Sequence, residues 1–279
     1  MIHEHELKDL EQFALEIRKK TLYMIGKLGV GHIGGALSIA EVLALLYGKE
    51  MHYLPENPRW EGRDLLVLSK GHAGPALYAA LAIKGFFPIE WLDTLNQGGT
   101  RLPSHCDRNR TPGIDMSTGS LGQGLSAACG IALGRRLDKS AVTIFAIIGD
   151  GESNEGQNWE AAMFASHYKL SNIIAFTDYN KFQIDGSTDE IMCLGDIEGK
   201  WQSFGWYTER CNGHDIAAIH ESVLQCRRQR EVQGGKPSMI ILDTIKGKGA
   251  AFCENKADSH NMTFNLDVAN EAIAALGGN

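Results

Sequence analysis

The chain has 279 residues, with 34 acidic and 27 basic side chains and a formal net charge of −7. This balance argues against nucleic acid or an anionic membrane surface as the main partner. The six cysteines show no CxxC spacing, and no apolar run approaches the ~20 residues of a membrane span. We therefore expect a cytoplasmic protein with reduced thiols, built as one α/β domain or two small ones.

The first predicted element is an amphipathic helix, whose apolar residues recur at helical spacing from Leu10 to Leu28. Four glycines within seven residues then surround His32. Residues 38–41 match the pattern of a capping box and predict the start of the next helix. Glycines at this density let the backbone approach another group closely. At this stage His32 is either a structural or a functional residue.

A buried strand is predicted at residues 64–69, followed by a turn with His72 and a helix that begins near Pro75. His72 thus lies at the edge where parallel sheets bind ligands. It either contacts a bound group or caps the helix.

Residues 117–124 contain three glycines ahead of an alanine-rich helix and follow an irregular polar stretch with His105. The glycines are ordered GxxGxG and no strand runs into them. The pattern therefore does not predict a dinucleotide-binding fingerprint.

Two apolar runs, 144–148 and 173–176, enclose a helical segment and predict a βαβ unit. The first run ends at the glycines that flank Asp150, and the second ends shortly before Asn180. Both tips should lie at one edge of a parallel sheet. The carboxylate of Asp150 and the amide oxygen of Asn180 are ligands suited to Mg²⁺ or Ca²⁺. The glycines that flank Asp150 let the backbone approach an anion closely. Gly-Asp-Gly and Asn180 are each common in turns when they occur alone, but their placement at the tips of adjacent strands favours a metal site.

Two further strands are expected at 205–208 and 238–244, so the chain predicts an α/β fold with a parallel β-sheet flanked by helices on both faces. His214 and His220 are expected at the surface or as helix caps. Residues 246–249 (Lys-Gly-Lys-Gly) are either a phosphate-binding loop or an exposed turn.

The segment from Gly149 to Asn180 resembles the thiamine diphosphate signature, a Gly-Asp-Gly followed some thirty residues later by Asn. Residues 149–152, 154–156, 159–162 and 178–180 resemble the transketolase family, and the resemblance extends from about residue 10 to about residue 262. It implies a single diphosphate-binding domain over residues 1–279, with the thiamine diphosphate-binding fold. It also implies Mg²⁺ (or Ca²⁺) held by Asp150, Asn180 and the carbonyl of Phe182.

The same resemblance implies the remaining roles. The implied cofactor-binding residues are His72, Gly119, Leu121, Gly151, Glu155, Asn180 and His260. The implied catalytic residues are His32, His105 and His260. The chain departs from the family pattern at Ile33 and Ser120, which stand in place of prolines, and keeps only the histidine of the family's Gly-His-Pro-Glu.

The resemblance covers only the first of the family's three domains, and the glutamate that activates the cofactor belongs to the second. It therefore implies the N-terminal subunit of a split transketolase, a transferase that is active only with a separate C-terminal subunit, in the form of a homodimer or an α₂β₂ assembly. This enzyme would pass a two-carbon ketol unit from a ketose, expected to be a sugar phosphate, to an aldose. The alternatives are a subunit of another thiamine diphosphate enzyme (1-deoxyxylulose-phosphate synthase-like or 2-oxo acid decarboxylating) and a non-catalytic cofactor-binding module.

Overall fold

A computed structural model describes residues 2–184, 186–232 and 234–277. The strands of these residues are β1 (Val30–Gly31), β2 (Leu65–Leu68), β3 (Ile144–Gly149), β4 (Ile173–Tyr179), β5 (Phe182–Gln183), β6 (Gly186–Ser187), β7 (Tyr207–Asn212), β8 (Ser238–Asp243) and β9 (Met262–Thr263).

The α-helices of the same residues are α1 (Glu4–Leu28), α2 (Gly34–Leu37), α3 (Ala40–Leu45), α4 (Gly74–Ile83), α5 (Gln123–Leu137), α6 (Gly156–His167), α7 (Thr188–Ile191), α8 (Ile197–Ser203), α9 (Ile216–Glu231) and α10 (Leu266–Ala275). A π-helical turn, Leu46–Glu50, continues α3, and 3₁₀ helices occupy Gly71–Ala73, Ile89–Thr94, Gly151–Asn154 and Ala257–His260. Within the described part of the chain, no helix combines the length and apolar character needed to cross a bilayer.

The central sheet has five strands in the order β2-β3-β4-β8-β7, and every neighbouring pair is parallel. The short strands pair antiparallel, β1 with β9 and β5 with β6. The predicted parallel sheet is confirmed. β4 is longer than the predicted run of residues 173–176, because it continues pairing with β3 and β8 through Asp178.

The two faces of the sheet are both covered by helices, as predicted. Successive side chains of a strand point to opposite faces, so Phe145 and Ile147 of β3 join one apolar cluster with α1, α3, α4, α9 and α10. Ile144, Ala146 and Ile148 join a second cluster with α5, α6 and α8. A strand buried on both faces appears in the sequence as an unbroken apolar run, which explains why β3 was easy to predict.

Four polar residues lie together at one edge of the sheet. Because the five strands are parallel, their carboxyl ends lie together, and Lys70, Asp150, Asn180 and Lys246 follow four of these ends within a few residues. This is the edge at which open α/β sheets bind ligands.

Candidate active site

A cavity of about 180 Å³ opens at the carboxyl edge of the sheet. Its lining residues are Gly35, Lys70, His72, Leu121, Gly149, Asp150, Gly151, Glu152, Glu155, Asn180, Phe182, Gln183, Ile184, Lys246 and His260. Eight of the eleven predicted site residues are therefore brought together here. The other three, His32, His105 and Gly119, adjoin the cavity through the histidine cluster described below.

Asp150 is a buried carboxylate at the end of β3. One oxygen accepts the N–H of Gly151 (2.8 Å) and the other accepts the N–H of Lys181 (2.5 Å). Burial, and then the nearby negative charge of Asp178, raise the pKa of Asp150 to about 7. A divalent cation next to this carboxylate would stabilise its ionised form against burial and the charge of Asp178, so the site fits a bound metal.

Asn180 lies beside Asp150 with its amide held in one orientation. Its Nδ2 donates to Asp178 (2.9 Å), which leaves Oδ1 as the outward atom, and Oδ1 accepts the N–H of Phe182 (3.1 Å). A carboxylate, an amide oxygen and the predicted backbone carbonyl of Phe182 form an all-oxygen set of the kind that Mg²⁺ and Ca²⁺ prefer. The three-ligand set stays a prediction, and the orientation of Asn180 supports it.

Asp178 does not itself line the cavity and is fully buried, but it contacts Lys70 and Asn180, which do line it. Burial alone would raise its pKa, but the charge of Lys70 and the surrounding hydrogen bonds outweigh that effect and lower it. The carboxylate accepts hydrogen bonds from Lys70 (2.5 Å), Ser38 (2.7 Å), Asn180 (2.9 Å) and Thr244. An ionised Asp178 thus joins four separate segments of the chain next to Asn180, a predicted metal ligand.

Glu152 is a second buried carboxylate, and it holds the wall of the cavity. It accepts the hydroxyl of Ser69, the N–H of Gly122 (2.9 Å) and the N–H of Gly149 (3.0 Å). Burial raises its pKa despite these donors. These bonds fix the turn after Leu121, a predicted cofactor contact, against the end of β3.

Four histidines form a compact cluster at the mouth of the cavity. The ring of His32 lies 5.4 Å from His72, 5.5 Å from His105 and 5.2 Å from His260, and the rings of His72 and His260 are 5.0 Å apart. Burial is the main cause of a lowered pKa at all four, and it brings His260 to about 4. The cluster is therefore neutral at pH 7, and its ring nitrogens can both donate and accept hydrogen bonds.

Gly119 lets its loop approach this cluster. Its φ is +150°, and a Cβ at this position would lie 3.2 Å from Cδ2 of His105. A side chain would strain the backbone and displace the imidazole. The structure thus places Gly119 against a predicted catalytic histidine rather than on the cavity wall.

The two lysines of the Lys-Gly-Lys-Gly segment lie in different surroundings, one as expected for a phosphate-binding loop and the other as expected for an exposed turn. Lys246 is buried, lines the cavity and donates to the carbonyl of Ala257 (3.1 Å). Burial lowers its pKa to about 8. Lys248 instead lies 3.7 Å from Glu254 near the surface. Of these two lysines, Lys246 is the one that is placed to contact an anion in the cavity.

The expectation that His214 and His220 are surface or capping residues is wrong. Nε2 of His214 accepts the N–H of Ile245 (2.8 Å), and its Nδ1 lies 3.1 Å from Glu41. His220 is buried with Nδ1 2.5 Å from Glu50. The cap of α9 is provided by Asp215, whose side chain accepts a backbone N–H. Both histidines therefore serve long-range contacts that sequence spacing does not reveal.

Three polar residues of the site were not identified from the sequence, namely Lys70, Asp178 and Glu152. A signal was present, because each is a charged residue within three positions of the end of a strand at the ligand edge. Their partners, however, lie up to 140 positions away in the chain, as for Ser38 and Asp178.

Comparison with known proteins agrees with this geometry. Residues 11–279 match the family described as transketolase, thiamine diphosphate binding domain. The chain belongs to the transketolase family. The predicted fold class, thiamine diphosphate cofactor and transferase class are thereby confirmed. The cavity that contains Asp150 and Lys246 is the candidate site for this cofactor.

Two relatives match the chain over almost their whole length. The present chain is 60% identical over 268 residues to the 6-deoxy-6-sulfo-D-fructose transketolase subunit SqwG of Clostridium sp. (strain MSTE9), and the match covers 96% of both chains. It is 37% identical to an apulose-4-phosphate transketolase subunit of Phocaeicola vulgatus, covering 96% of this chain and 94% of that protein.

Solved transketolases are longer. A variant from Pichia stipitis superposes with a TM-score of 0.90 and 29% identity over 97% of this chain, but only 41% of its own length. The enzyme from Campylobacter jejuni gives a TM-score of 0.89 and 29% identity, with 44% of its length covered. The present chain thus corresponds to less than half of those transketolases.

Proposed function

We propose that this transketolase chain is the cofactor-binding subunit of a two-chain enzyme whose donor substrate is 6-deoxy-6-sulfo-D-fructose. The observation that carries the proposal is the 60% identity, over 96% of both chains, to a transketolase subunit named for that sugar. Removal of a two-carbon ketol unit from this six-carbon ketose leaves a four-carbon sulfonated aldose. The ketol unit then passes to an acceptor aldose.

Thiamine diphosphate, when bound, supplies the electron sink for breaking a carbon–carbon bond next to a carbonyl. Asp150, Asn180 and the carbonyl of Phe182 hold the Mg²⁺ that accompanies the diphosphate. Lys246 lines the same cavity and offers a positive charge to the diphosphate. His72, which lines the cavity and packs against His32 and His260, would contact the phosphate side of the cofactor.

His32, His105 and His260 face the sugar. Because burial keeps their pKa values below the usual 6.5, these rings are neutral at working pH. A neutral imidazole can accept the proton of a donor hydroxyl as the carbon–carbon bond breaks and return it to the acceptor. The spacing of about 5 Å between the rings supports their acting on one substrate.

The surface that we propose for docking of a second subunit lies at the ends of α5 and α6. Leu137 of α5 and Met163 of α6 are 73% and 55% exposed, and the rings of Phe164 and Tyr168 are 4.6 Å apart beside them. Arg136 donates to the carbonyl of Tyr168, so the ends of the two helices form one surface. We call this the α5–α6 face. Exposed apolar patches of this kind mark protein interfaces.

Helix α6 extends from the cofactor cavity to this face, because its N-cap residue, Glu155, lines the cavity and its C-cap residue, Tyr168, belongs to the face. The occupant that we propose is a C-terminal transketolase subunit carrying the activating glutamate. Glu155 lies at the shared boundary, and pairs of each chain form the α₂β₂ assembly.

The substrate is tested by purifying the chain with its partner and measuring ketol transfer to one aldose phosphate from two donors, 6-deoxy-6-sulfo-D-fructose and D-fructose 6-phosphate. We expect kcat/KM for the sulfonate donor to exceed that for the phosphate donor by about tenfold or more. A polar pocket that is built to hydrogen-bond one group binds a substrate carrying a different group less well. Mass spectrometry identifies the four-carbon product. Equal or faster transfer from the phosphate would refute the substrate proposal and leave the transketolase assignment intact.

A further inference from the structure

A second, larger cleft of about 600 Å³ lies near the free edge of β2 and shares no lining residue with the cofactor cavity. Half of the twelve arginines of the chain line it, and none of its fifteen lysines does. These arginines are Arg59, Arg63, Arg101, Arg108, Arg110 and Arg135. The concentration is unexpected in a chain with a net charge of −7.

Among the described residues, two of the six arginines pair with a carboxylate, Arg63 with Asp115 and Arg110 with Asp107 (3.5 Å), and the other four do not. Asp115 is the single acidic residue that lines it within the described chain, and Asp115 is paired with Arg63. The side chains of Arg59, Arg108 and Arg135 make no hydrogen bond or ion pair with other described residues. They are therefore available to a ligand.

The cleft is built on a fixed framework. Asp115 is buried and accepts the N–H of Leu66 in β2 (2.7 Å), and the hydroxyl of Thr118 donates to the carbonyl of Leu68 (2.7 Å). These bonds attach the segment that carries Arg108 and Arg110 to the sheet. They also satisfy backbone groups at an edge strand that would otherwise be open to pairing.

Apolar side chains form the rest of the wall. Leu65, Ile114 and Ile131 line the cleft, and Trp60 at its rim is 39% exposed. The volume falls within the roughly 300–1,000 Å³ of small-molecule sites, which combine apolar walls with a few charged groups.

We propose that this arginine cleft binds a small organic anion bearing two or more phosphate, sulfonate or carboxylate groups. Arginine, rather than lysine, presents a planar fork that pairs with two oxygens of such a group at once. The concave shape favours a compact ligand over nucleic acid, whose backbone needs an extended basic surface. The site is separate from the proposed transketolase function and does not depend on it.

The test uses the full chain, alone and in complex with its partner subunit, saturated with Mg²⁺ and thiamine diphosphate so that the cofactor cavity is filled. The probe is 2,3-bisphosphoglycerate, which is neither a ketose nor an aldose and cannot act as a transketolase substrate. Calorimetric titration at constant ionic strength should show saturable binding to one site per chain.

The variant Arg59→Gln/Arg135→Gln should weaken this binding by about tenfold or more, since two charge-assisted contacts are lost. Neither arginine has an acidic partner among the described residues, so the melting temperature should not change. The control Lys200→Gln/Arg228→Gln removes two exposed charges from α8 and α9, away from the cleft, and should leave the affinity unchanged.

Three results would overturn the proposal. The first is the absence of saturable binding at millimolar probe, or its loss in the complex. The second is equal weakening in the control, which would reflect overall charge rather than the cleft. The third is binding of a polyglutamate peptide in preference to the bisphosphate, which would make the cleft a docking site for an acidic protein segment. Each readout is a binding constant, so failure here is distinguishable from failure of ketol transfer.

Discussion

The backbone N–H of Ile245 donates to Nε2 of His214 over 2.8 Å. Because Nε2 accepts this bond, Nδ1 carries the proton and donates to Glu41 at 3.1 Å. Glu41 is also paired with Arg18, at 2.5 and 2.6 Å. A buried chain of polar contacts therefore runs from α1 to the turn that places Lys246 in the cofactor cavity.

Replacing His214 should weaken cofactor binding without any change at the cavity wall. His214→Leu removes both hydrogen bonds, and we expect thiamine diphosphate affinity to fall by about tenfold, within the range for residues that support a metal site from outside its ligand shell. His214→Gln keeps an acceptor for Ile245 and a donor for Glu41, and should restore most of the affinity. Titration calorimetry in Mg²⁺ measures both; equal losses in the two variants would argue for a general packing defect.

The proposed metal site predicts that cofactor binding depends on the negative charge of Asp150. Asp150→Asn keeps the shape of the side chain but removes its charge, so affinity for thiamine diphosphate in Mg²⁺ should fall by at least about 100-fold, as loss of a direct ligand exceeds outer-shell effects. Asp138→Asn, at the exposed end of α5, is the matched control and should bind normally. Unchanged affinity in the Asp150 variant would exclude this carboxylate as a metal ligand.

We predict that His32 acts in catalysis and that His72 acts in cofactor binding. His32→Ala should lower turnover of the donor by about 10²-fold, as loss of a general acid–base group does, with little change in cofactor affinity. His72→Ala should weaken cofactor binding first, because His72 lines the cavity and His32 does not. Steady-state kinetics of the two-chain enzyme and calorimetry separate the effects. Loss of cofactor affinity alone in both variants would contradict this division.

The buried histidines also predict a pH dependence of folding stability. Burial lowers the pKa of His260 to about 4, from about 6.5 in an unfolded chain. Between these values the unfolded state binds the proton and the folded state does not, so His260 makes stability fall as pH decreases from about 6.5 to about 4 and has no effect above that window.

Asp150 acts in the opposite direction over the same window, because its folded pKa of about 7 lies above the unfolded value. The diagnostic quantity is therefore the difference between wild type and His260→Asn, measured by urea unfolding of the cofactor-free chain at pH 7 and pH 5. Wild type should lose more stability than the variant on acidification. The same loss in both would mean that His260 keeps an ordinary pKa when folded.

The sequence alone was sufficient for the sheet and for placing Asp150 and Asn180, the proposed metal ligands, at its ligand edge. Buried parallel strands appear as unbroken apolar runs, and the polar residue at the tip of each run marks the ligand edge, as at Asp150 and Asn180. Asp178 was not assigned a role, because its significance lies in contacts with Ser38, Lys70 and Thr244, which are distant in the chain. Spacing carries no information about such partners.

The lysines at 246 and 248 show the same limit at short range. Both stand in one glycine-rich turn, yet one is buried in the cavity and the other pairs with Glu254 near the surface. Which of them enters the cavity depends on the turn conformation, which the bond between Ile245 and His214 helps to fix. The roles of the four clustered histidines were expected only through the family resemblance, since the residues come from four segments that are distant in the sequence.

The docking proposal predicts that a charge on the α5–α6 face blocks assembly. Phe164 is partly exposed and packs on Tyr168, so Phe164→Glu should fold normally but place a carboxylate in an apolar interface. We expect the variant to elute apart from the partner subunit in size-exclusion chromatography. Ile191→Glu, at an exposed apolar position on α7, is the matched control and should co-elute. Co-elution of the Phe164 variant would place the interface elsewhere.

The isolated chain, finally, should be catalytically silent. It corresponds to less than half of the solved transketolases, and the predicted activating glutamate belongs to a region that it does not match. Its cavity is bordered by the exposed side chain of Ile184, so one side of the cofactor would face water, which weakens every electrostatic contribution to catalysis. Supplied with Mg²⁺, thiamine diphosphate, donor and acceptor, the lone chain should transfer no ketol unit. Activity should appear on adding the partner, and measurable transfer without it would overturn the two-chain proposal.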